Sequence, residues 1–553
     1  MNDISILVGG AVGEGVNEAG AMIGRLFNRL GYHVYMYCDY PSLIRGGHNY
    51  AITRACDRPI GACPDKVDAV LALNQDAIDR HRHRWKDGTI IIYDPARAQA
   101  PGGAQPSLAL PLADILQESG SPPPMRATGL IGALGRVLGI PWSVLEEALR
   151  KHAPAPAEQH LQVARRGYEA ARQQTAVERL DRPALPLMSG NQAISLGLLK
   201  AGLQAYVAYP MTPTSPILEF LAASAQEFGL QVIPPESEIA VMIMALGYAY
   251  MGVRTAVGTS GGGFSLMVEG LGLAGQAELP VVVVMGQRTG PSTGMPTYSA
   301  QTDLHFVLHA GQGEFPRLIV APGDAEEAYY CAGSALNLAW KYQLPAFVLT
   351  DRVLNLGLYS FDAGAAGDLR EEPPVLWNGA GDYRRYQYTE TGVSPLAFPP
   401  LPGQAVKVNS YTHDEHGITT EEPRIATEIV DKWLLKERSL AKELEGYPTV
   451  RAYGQGRTAL LCWGSNKGVC LETAQRLGLK VIQPLVLSPF PAQALARAMI
   501  GVERIISVEC NATGQLATLL QQHGYHIDER ILKYDGRPFS LEELEDEVKK
   551  VIA

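Results

Sequence analysis

Four short blocks between Ala208 and Arg288 constrain the fold of this chain more than any other part of its sequence. Each block places glycines or polar side chains at or directly beyond an apolar, strand-like segment. Open α/β sheets bind their ligands at the carboxyl ends of their strands. This stretch is therefore predicted to form an α/β sheet and its ligand-binding edge. The blocks are Ala208–Pro216, Pro235–Ala240, Gly258–Phe264 and Leu279–Arg288.

The chain has 553 residues, which is too long for one ordinary hydrophobic core. Strand-like and helical segments alternate along it, and this pattern predicts an α/β fold with three Rossmann-like, doubly wound domains. We place the first domain at residues 1–180, running into a proline-bearing linker at 153–187. The second covers 188–425 and ends in an irregular extension at 355–425, and the third covers 426–553.

Composition excludes several classes of protein. A formal charge of −10, with 46% hydrophobic and 19% charged residues, gives no reason to expect nucleic acid or membrane as a partner. No run of about 18 apolar residues and no leader-like start is present. The seven cysteines include no Cys-x-x-Cys pair, so no zinc ribbon or iron–sulfur run is expected. We expect a cytoplasmic protein with free thiols and no metal site of its own.

A strand, a glycine turn and a helix open the chain. The apolar segment Ile4–Val8 is followed by glycines that include Gly13 and Gly15, and then by a helical pattern up to Leu30. The N-terminus of such a helix can hold a phosphate. The spacing departs from Gly-x-Gly-x-x-Gly because Glu18 stands at the last glycine position. A tight βα turn without any ligand explains the glycines equally well.

Thr212 lies in a loop that three prolines stiffen, directly after the apolar segment Ala205–Ala208. Because proline fixes φ, the hydroxyl groups of this loop are expected to be held in place. A helix N-cap followed by a proline start, at Thr214-Ser-Pro216, explains the same residues. The loop is therefore either a substrate-contacting segment or a cap.

Two carboxylates and one guanidinium complete the central stretch. Glu236 and Glu238 precede the almost uncharged helical segment Ile239–Met251, so one is favoured as a partner of the helix dipole and the other as a buried functional acid. Arg288 ends an apolar strand, where it is suited to bind an anion. The alternative for Arg288 is a surface ion pair.

Together these motifs resemble the 2-oxoacid:ferredoxin oxidoreductases, in particular an α subunit with a γ domain fused at its N-terminus. The family motif Tyr-Pro-Ile-Thr-Pro-Ser-Ser reads Tyr209-Pro-Met-Thr-Pro-Thr-Ser215 here. The run Gln-Arg-x-Gly-Pro-Ser-Thr-Gly is matched at Gln287–Gly294. Further matches are the C-terminal-domain signature at Val508–Leu516, Arg385-Tyr386 with Thr391–Pro395, and the γ-domain mark at Ile44–Gly47.

The resemblance implies a cofactor and residue roles. Thiamine diphosphate is expected between a pyrimidine-binding domain, residues 188–425, and a diphosphate-binding domain. Glu238 matches the glutamate that contacts the aminopyrimidine ring, with Glu236 as the alternative. Thr212 and Arg288 match the positions that hold the substrate carboxylate. The other residues expected to contact this cofactor are Tyr209, Pro210, Gly261 and Gly262.

The resemblance also implies a partner. The chain lacks the Gly-Asp-Gly…Asn motif for Mg²⁺ and diphosphate, and it lacks cluster cysteines. In this family both belong to a β subunit, which would carry the Mg²⁺ ion and the [4Fe-4S] cluster. An (αβ)₂ assembly that reduces ferredoxin is expected. The first and last domains would then be a γ-type domain and a transketolase-C-like domain.

The substrate is predicted from the γ–α fusion, which resembles 2-oxoglutarate enzymes more than pyruvate enzymes. The implied reaction converts 2-oxoglutarate and coenzyme A to succinyl-CoA and CO₂, or runs in reverse. Arg352, Arg384 and Arg385 are candidates for the distal carboxylate. Gly13, Gly15 and Arg45 are candidates for the coenzyme A phosphates, with packing between subunits as the alternative. Rival hypotheses are pyruvate, branched-chain oxoacids or indolepyruvate as substrate, an NAD-binding dehydrogenase, and a non-catalytic scaffold subunit.

Overall fold

The computed structural model describes residues 3–42, 47–100, 102–103 and 105–552. The chain divides into two compact units. The first contains Met1–Ser189, Leu356–Asp362 and Phe539–Ala553, and the second contains Gly190–Asn355 and Ala363–Pro538. Over the described ranges the first unit holds one mixed sheet and the second holds two mostly parallel sheets. The predicted α/β fold class is confirmed.

The described strands, in chain order, are β1 (Asp3–Ala11), β2 (His33–Asp39), β3 (His48–Cys56), β4 (Val67–Ala72), β5 (Trp85–Tyr93), β6 (Ser107–Ala109), β7 (Leu187–Ser189), β8 (Ala205–Val207), β9 (Gln231–Ile233), β10 (Thr255–Thr259), β11 (Val281–Gln287), β12 (Leu318–Val320), β13 (Pro345–Asp351), β14 (Leu358–Ser360), β15 (Val450–Tyr453), β16 (Thr458–Cys462), β17 (Lys480–Pro484), β18 (Val486–Ser488), β19 (Arg504–Glu509) and β20 (Glu529–Leu532).

The described α-helices are α1 (Val16–Arg29), α2 (Gln75–Asp79), α3 (Leu112–Glu118), α4 (Arg126–Val137), α5 (Trp142–His152), α6 (Ala157–Ala170), α7 (Gly190–Lys200), α8 (Ser215–Phe228), α9 (Glu238–Tyr250), α10 (Gly261–Gln276), α11 (Leu304–His309), α12 (Ala325–Tyr342), α13 (Arg352–Leu356), α14 (Pro423–Glu443), α15 (Asn466–Leu477), α16 (Ala492–Ala498), α17 (Gln515–Gln522) and α18 (Leu541–Ile552). None of the helices in the described part of the chain is both long and apolar enough to cross a membrane.

The sheet of the first unit runs β6-β5-β4-β1-β3-β2-β14-β7 over the described residues. Strands β1, β4, β5 and β6 are parallel, as expected for a doubly wound domain. Strands β2 and β3 differ, because they pair antiparallel with each other and β3 pairs antiparallel with β1. Only residues 40–47 connect β2 to β3, and a parallel pairing needs a crossover of a dozen or more residues. The short connection therefore explains the mixed sheet.

Two later segments of the chain belong to the first unit. Strand β14 pairs with β2 and with β7. Near the C-terminus, the N–H of Leu541 donates to the carbonyl oxygen of Cys63 at 3.1 Å, and the N–H of Asp65 donates to the carboxylate of Glu542 at 2.6 Å. Each compact unit is therefore made of separate segments of the chain. The sequence-based boundaries at 188 and 426 instead describe three continuous domains.

The central sheet of the second unit runs β18-β12-β13-β11-β10-β8-β9 over the described residues. All its pairings are parallel except that of β18 with β12. Strand β11 is buried along its whole length, which suits its run of valines because a parallel strand is covered on both faces. The parallel direction brings the carboxyl ends of β8, β10, β11 and β13 to one edge of the sheet.

The third sheet, β15-β17-β16-β19-β20, shares one hydrophobic core with the central sheet. Trp463 after β16 and Ile482 in β17 belong to the same buried cluster as Phe347 in β13. The family signature at the end of β19 has a structural role here. The buried carboxylate of Glu509 accepts hydrogen bonds from the N–H groups of Leu516 at 2.8 Å and Ala517 at 3.0 Å, and so holds the start of α17.

Candidate active site

The loop that carries Thr212 lies directly against the edge of the central sheet. Asn191 donates from Nδ2 to the carbonyl oxygen of Pro213 at 2.9 Å. Strand β11 passes beneath the loop at Gly286, where an added Cβ would lie 2.7 Å from Cγ of Pro213 and 2.8 Å from Cγ2 of Thr214. Only glycine permits this close approach. The loop is therefore fixed from both sides, and Asn191 is a positioning residue that the sequence pattern did not reveal.

Arg288 reaches this loop from the end of β11. Its Nη1 donates to the carbonyl oxygen of Thr212 at 3.1 Å, so the two residues predicted to hold the substrate carboxylate are in contact. The Arg288 side chain is half-buried, and burial lowers the pKa of its guanidinium, an effect that the nearby carboxylate of Asp303 opposes. A guanidinium held at one nitrogen keeps its other N–H groups for an anion.

Glu238 is the first residue of α9 and is buried, with 6% of its surface exposed. The preceding Ser237 caps the helix, because its hydroxyl accepts a hydrogen bond from the N–H of Ala240 at 3.4 Å. The Glu238 carboxylate lies against Gly263, where an added Cβ would come within 2.7 Å of Oε1. Within the described ranges this carboxylate makes no hydrogen bond or ion pair with protein. Glu236, the alternative, is exposed.

The remaining residues expected to contact the cofactor lie at the same edge. Tyr209 and Pro210 are exposed at the start of the Thr212 loop. Gly261 and Gly262 form the first turn of α10, after β10. An added Cβ at Gly262 would approach only the carbonyl oxygen of Ser292, at 3.8 Å, so bare backbone faces open space there. Their contacts with a cofactor stay a prediction.

Asp303, which the sequence pattern did not single out, lies beside Arg288. Its carboxylate oxygens would be 3.0 and 3.2 Å from a Cβ at Gly261, and its N–H donates to Oε1 of Gln287 at 2.9 Å. Burial raises the pKa of Asp303 to about 6, and the positive charge of Arg288 lowers it in part. The site therefore contains the carboxyl group of Asp303 besides that of Glu238, and a raised pKa like that of Asp303 is common at functional sites.

Gln301 fixes the segment that carries Asp303. Its Oε1 accepts hydrogen bonds from Nδ2 of Asn466 at 2.8 Å and from the N–H of Cys510 at 2.9 Å, while its Nε2 donates to the carbonyl oxygen of Trp463 at 2.8 Å. The residues beside the third sheet thus hold the loop that follows Arg288. Because Cys510 belongs to the C-terminal signature Val508–Leu516, this signature contacts the loop of the candidate site.

The three candidate arginines occupy different places. Arg352 directly follows β13, whose last residue pairs with Gln287 of β11, so it lies at the same sheet edge as Arg288. Arg384 is exposed and pairs with Glu415 at 3.1 Å. Arg385 is buried and donates to the carbonyl oxygens of Ala277 at 3.2 Å and Glu278 at 2.6 Å, just beyond α10.

The predicted substrate role of Arg385 does not fit this placement. The 16 residues of α10 separate Ala277 from the turn at Gly261, and a helix of that length spans about 24 Å. Arg385 therefore lies at the opposite end of α10 from the site. Its guanidinium, which also donates to Oε1 of Gln343 at 3.0 Å, ties the irregular segment to the body of the second unit.

In the first unit, Gly13 and Gly15 lie in the turn before α1 with φ angles of +87° and +74°. Glycine is favoured in this left-handed region, so a tight turn accounts for both residues locally. Between them, the Glu14 carboxylate accepts a hydrogen bond from the N–H of Ala11 at 2.7 Å and pairs with Arg97 at 2.8 Å. Arg45 lies outside the described residues. A contact with coenzyme A stays a prediction.

An apolar ridge runs along the exposed side of α9 from the site. Ile239, Ile243 and Met251, spaced at four and eight residues, are 54%, 47% and 49% exposed. Gly247 continues this spacing, and Leu266 of the neighbouring helix α10 is 49% exposed. We call these five residues the α9 ridge. A helix that is apolar on all sides is normally buried, so this face is suited to a partner.

Two family models match the chain and define its class. One, described as "Pyruvate flavodoxin/ferredoxin oxidoreductase, thiamine diP-bdg", matches residues 196–432. The other, described as "Pyruvate ferredoxin/flavodoxin oxidoreductase", matches residues 5–170. The first of these contains the whole candidate site from Thr212 to Asp303. The chain is thus built from the thiamine diphosphate-binding and companion domains of this class of oxidoreductase.

Comparison with similar proteins identifies the family to which the chain belongs. The 2-oxoacid:ferredoxin oxidoreductase subunit alpha of a Sulfolobus species is 30% identical over 628 positions, which cover 99% of this chain and 97% of the relative. The 2-oxoglutarate synthase subunit KorA of Methanocaldococcus jannaschii is 30% identical, with 65% of this chain and 97% of the relative covered. The chain belongs to the α subunits of the 2-oxoacid:ferredoxin oxidoreductase family, which confirms the resemblance seen in its motifs.

One solved structure is similar over the full length of both chains. It is the 2-oxoglutarate:ferredoxin oxidoreductase from Magnetococcus marinus with 2-oxoglutarate, coenzyme A and succinyl-CoA bound. The TM-score is 0.91 and the sequence identity is 28%, with 100% of each chain covered. The fold of this chain therefore matches a chain of that oxidoreductase over its full length.

Proposed function

We propose that this chain is the α subunit of a 2-oxoglutarate:ferredoxin oxidoreductase that works in the cytoplasm. With a β subunit it would convert 2-oxoglutarate and coenzyme A to succinyl-CoA and CO₂ and reduce ferredoxin, or catalyse the reverse carboxylation. The observation that carries this proposal is the carboxylate of the buried residue Glu238, which has no hydrogen-bond partner among the described residues and lies at the same sheet edge as the Thr212–Arg288 contact. The relatives named for 2-oxoglutarate support the choice of substrate.

The residues at this edge fit thiamine diphosphate. The described residues give the Glu238 carboxylate no hydrogen-bond donor, and the N–H of an aminopyrimidine ring would supply one. Glu238 would hold that ring and its proton, while Tyr209, Pro210, Gly261 and Gly262 leave space for the cofactor at the sheet edge. Bound thiamine diphosphate supplies carbanion chemistry at its thiazolium carbon. The residues of this chain would orient the ring and the substrate around that carbon.

Arg288 and Thr212 would bind the carboxylate next to the oxo group. A guanidinium forms charge-assisted, often bidentate hydrogen bonds with a carboxylate. Because the Thr212 carbonyl already fixes one nitrogen of Arg288, less side-chain freedom is lost on binding. For the second carboxylate of 2-oxoglutarate we propose Arg352, which follows the strand next to β11.

The α9 ridge supports a partner subunit at this edge. It starts at Ile239, next to Glu238, so a subunit that covers the ridge would also close the cofactor site. We propose that this β subunit carries Mg²⁺, the cofactor diphosphate and a [4Fe-4S] cluster, in an (αβ)₂ assembly. We retain residues 1–180 as a γ-type domain, in which Gly13, Gly15 and Arg45 contact coenzyme A. For residues 426–553 we propose a transketolase-C-like domain, although Phe539–Ala553 belongs to the first compact unit.

The test is anaerobic dye reduction by the chain purified with its β subunit, with coenzyme A and a panel of 2-oxoacids. We expect 2-oxoglutarate to be preferred over pyruvate and branched-chain oxoacids. Preference for another oxoacid would contradict the substrate and leave the family chemistry in place. If a complex with its cofactor and clusters reduces dye with none of them, the proposed function is wrong. A tightly bound nicotinamide would favour the dehydrogenase alternative.

A further inference from the structure

Asp303 is the one acidic group beside Arg288 whose role the proposed function does not explain. Its carboxylate lies over the first turn of α10, 3.0 Å from the position of a Cβ at Gly261. Its backbone is fixed on one side by Gln287 and, two residues earlier, by the Gln301 hydrogen bonds. The backbone of Asp303 is thus fixed, and its carboxylate interacts with the Arg288 guanidinium through charge, without a direct ion pair among the described residues, so its ionisation can control the charge that the arginine presents.

Few other charged groups face Asp303. Arg288, at the end of β11, is the charged residue that acts on its pKa. On α11, the His305 ring is turned to the carbonyl oxygen of Gln515, with its Nε2 3.0 Å away. The Glu238 carboxylate of α9 faces Gly263 and Thr259, on the inner side of the first turn of α10. Because burial dominates, the pKa of Asp303 is raised to about 6, so the group changes charge close to neutral pH.

We propose that Asp303 is a positioning residue that couples binding of the 2-oxoacid carboxylate at Arg288 to the uptake of one proton. The inference rests on the proposed function, which places the substrate carboxylate at Arg288. When Asp303 is ionised, it competes with the substrate for the guanidinium. When it is protonated, the Arg288 charge is available to the substrate. An arriving carboxylate adds a negative charge beside Asp303, which favours the protonated form, and the proton comes from solvent.

The first test is the pH dependence of KM and kcat for 2-oxoglutarate, measured on the intact complex between about pH 6 and about pH 8. For the native enzyme we expect KM to rise by up to about tenfold for each pH unit above the pKa of Asp303, with little change in kcat. Asp303→Asn removes the titrating group, so its KM should be low and nearly independent of pH. Asp303→Glu should restore a pH-dependent KM.

The second test measures proton uptake without turnover. Glutarate, a dicarboxylate without the oxo group, is titrated calorimetrically into the complex in two buffers of different ionisation enthalpy. We expect about one proton to be taken up per glutarate at a pH above the pKa of Asp303, and none with Asp303→Asn. Glu314→Gln, which removes an exposed carboxylate just after α11, is the matched control and should behave as the native complex does.

The same KM–pH slope in Asp303→Asn and in the native complex would overturn this inference. Equal proton uptake by the two proteins would do the same. Failure of the proposed function gives a different result, namely no turnover of any 2-oxoacid by the native complex at any pH. In that case the glutarate titration still decides the inference, because it reports on Asp303 and Arg288 without chemistry. If Asp303→Asn does not fold, the native proton uptake and Asp303→Glu decide it.

Discussion

The carboxylate of Glu238 packs directly against the bare backbone of Gly263. A Cβ at Gly263 would lie 2.7 Å from Oε1 and 2.9 Å from Cγ of Glu238, so α9 and α10 meet here as closely as their backbones allow. The carboxylate lies against Gly263 and close to Thr259, and it makes no hydrogen bond with the residues that the structure describes. Within the described residues, Glu238 is therefore placed by packing alone, and its oxygens are free for a ligand.

The first prediction concerns this carboxylate. Glu238→Gln should lower turnover of the assembled complex by at least about 100-fold, because an amide cannot take up the ring proton. The thermal stability of the chain should change little, since no hydrogen bond is lost. Glu236→Gln, two residues earlier and exposed, is the control and should retain most of the activity. Turnover near the native level in Glu238→Gln would favour a scaffold role for this chain.

The second prediction tests how closely β11 must approach the Thr212 loop. In Gly286→Ala the new methyl group would lie 2.7 Å from Cγ of Pro213, which is too close, so the loop must move. A displacement of about 1 Å at a substrate contact can cost about 100-fold in rate. We expect kcat/KM for 2-oxoglutarate to fall by about 10- to 100-fold, mainly through KM. Steady-state kinetics on the purified complex measures this.

Gly446→Ala is the control for Gly286→Ala. Gly446 is exposed, and an added Cβ there would meet no atom within 4 Å. Its kinetics should match those of the native enzyme. If Gly286→Ala also retains native kinetics, then the position of the Thr212 loop is not important for substrate binding.

Several parts of this architecture could be predicted from the sequence because they depend on local patterns. Apolar runs that end in glycine or polar residues predict the strands and the sheet edge at which their carboxyl ends meet. The two glutamates at the start of α9 are apparent from sequence, and the family resemblance favours Glu238, whereas the burial that distinguishes Glu238 from Glu236 comes from the fold. Burial of one residue in a pair depends on the packing of α9 against α10, which a single sequence does not contain.

Other features depend on long-range contacts that no periodicity reveals. Asp303 is separated from Arg288 by a 14-residue loop without a repeating pattern, and Asn191 lies in a helix distant in sequence from the loop it holds. Arg385 is a candidate from sequence because the distal carboxylate needs a cation, yet its partners are backbone carbonyls beyond α10. The return of β14 and α18 to the first unit is likewise set by tertiary pairing alone.

The third prediction tests the α9 ridge as the surface that binds the β subunit. Ile243→Asp places a charge in the middle of this exposed apolar face, and an unpaired charge in an interface is strongly destabilising. The variant should fold, because Ile243 faces solvent in the isolated chain, but it should fail to co-purify with the β subunit. Size-exclusion chromatography of the co-expressed proteins measures this.

Ile500→Asp is the matched control for the ridge. Ile500 is 75% exposed, in a turn after α16 and away from α9, so the same substitution there should leave the complex intact. If Ile243→Asp assembles as well as Ile500→Asp does, then the ridge is not the β-subunit contact.

The last prediction concerns a buried ionic cluster just beyond the end of α10 that is remote from the site. Glu278 accepts hydrogen bonds from Lys432 at 2.5 Å and from Lys436, and its backbone carbonyl accepts from Arg385. The two lysines lower the pKa of Glu278, although burial acts in the opposite direction. Burial lowers the pKa of Lys436 to about 7, which the charge of Glu278 only partly offsets. Both pKa values are lowered, but this favours the charged form of Glu278 and disfavours the charged form of Lys436, because one carboxylate faces three cations.

The two shifts have different consequences for stability. A carboxyl group with a lowered pKa stabilises the fold above its unfolded-state pKa, and this contribution is lost as the pH falls. A lysine with a lowered pKa binds fewer protons in the folded state, so its contribution increases as the pH rises from about 7 toward about 10. At neutral pH the charged form of Glu278 therefore stabilises the fold, whereas the charged form of Lys436 destabilises it.

We expect Glu278→Gln to lower the free energy of unfolding by about 3–5 kcal/mol, because it leaves buried cations without a counterion. Lys436→Met, which removes one excess cation and keeps the volume, should be neutral or stabilising at about pH 6. It should also flatten the rise in stability toward higher pH. Urea unfolding of both variants at several pH values measures these effects. If Glu278→Gln were as stable as the native chain, or if Lys436→Met cost as much as Glu278→Gln, Glu278 would not be the group that balances these charges.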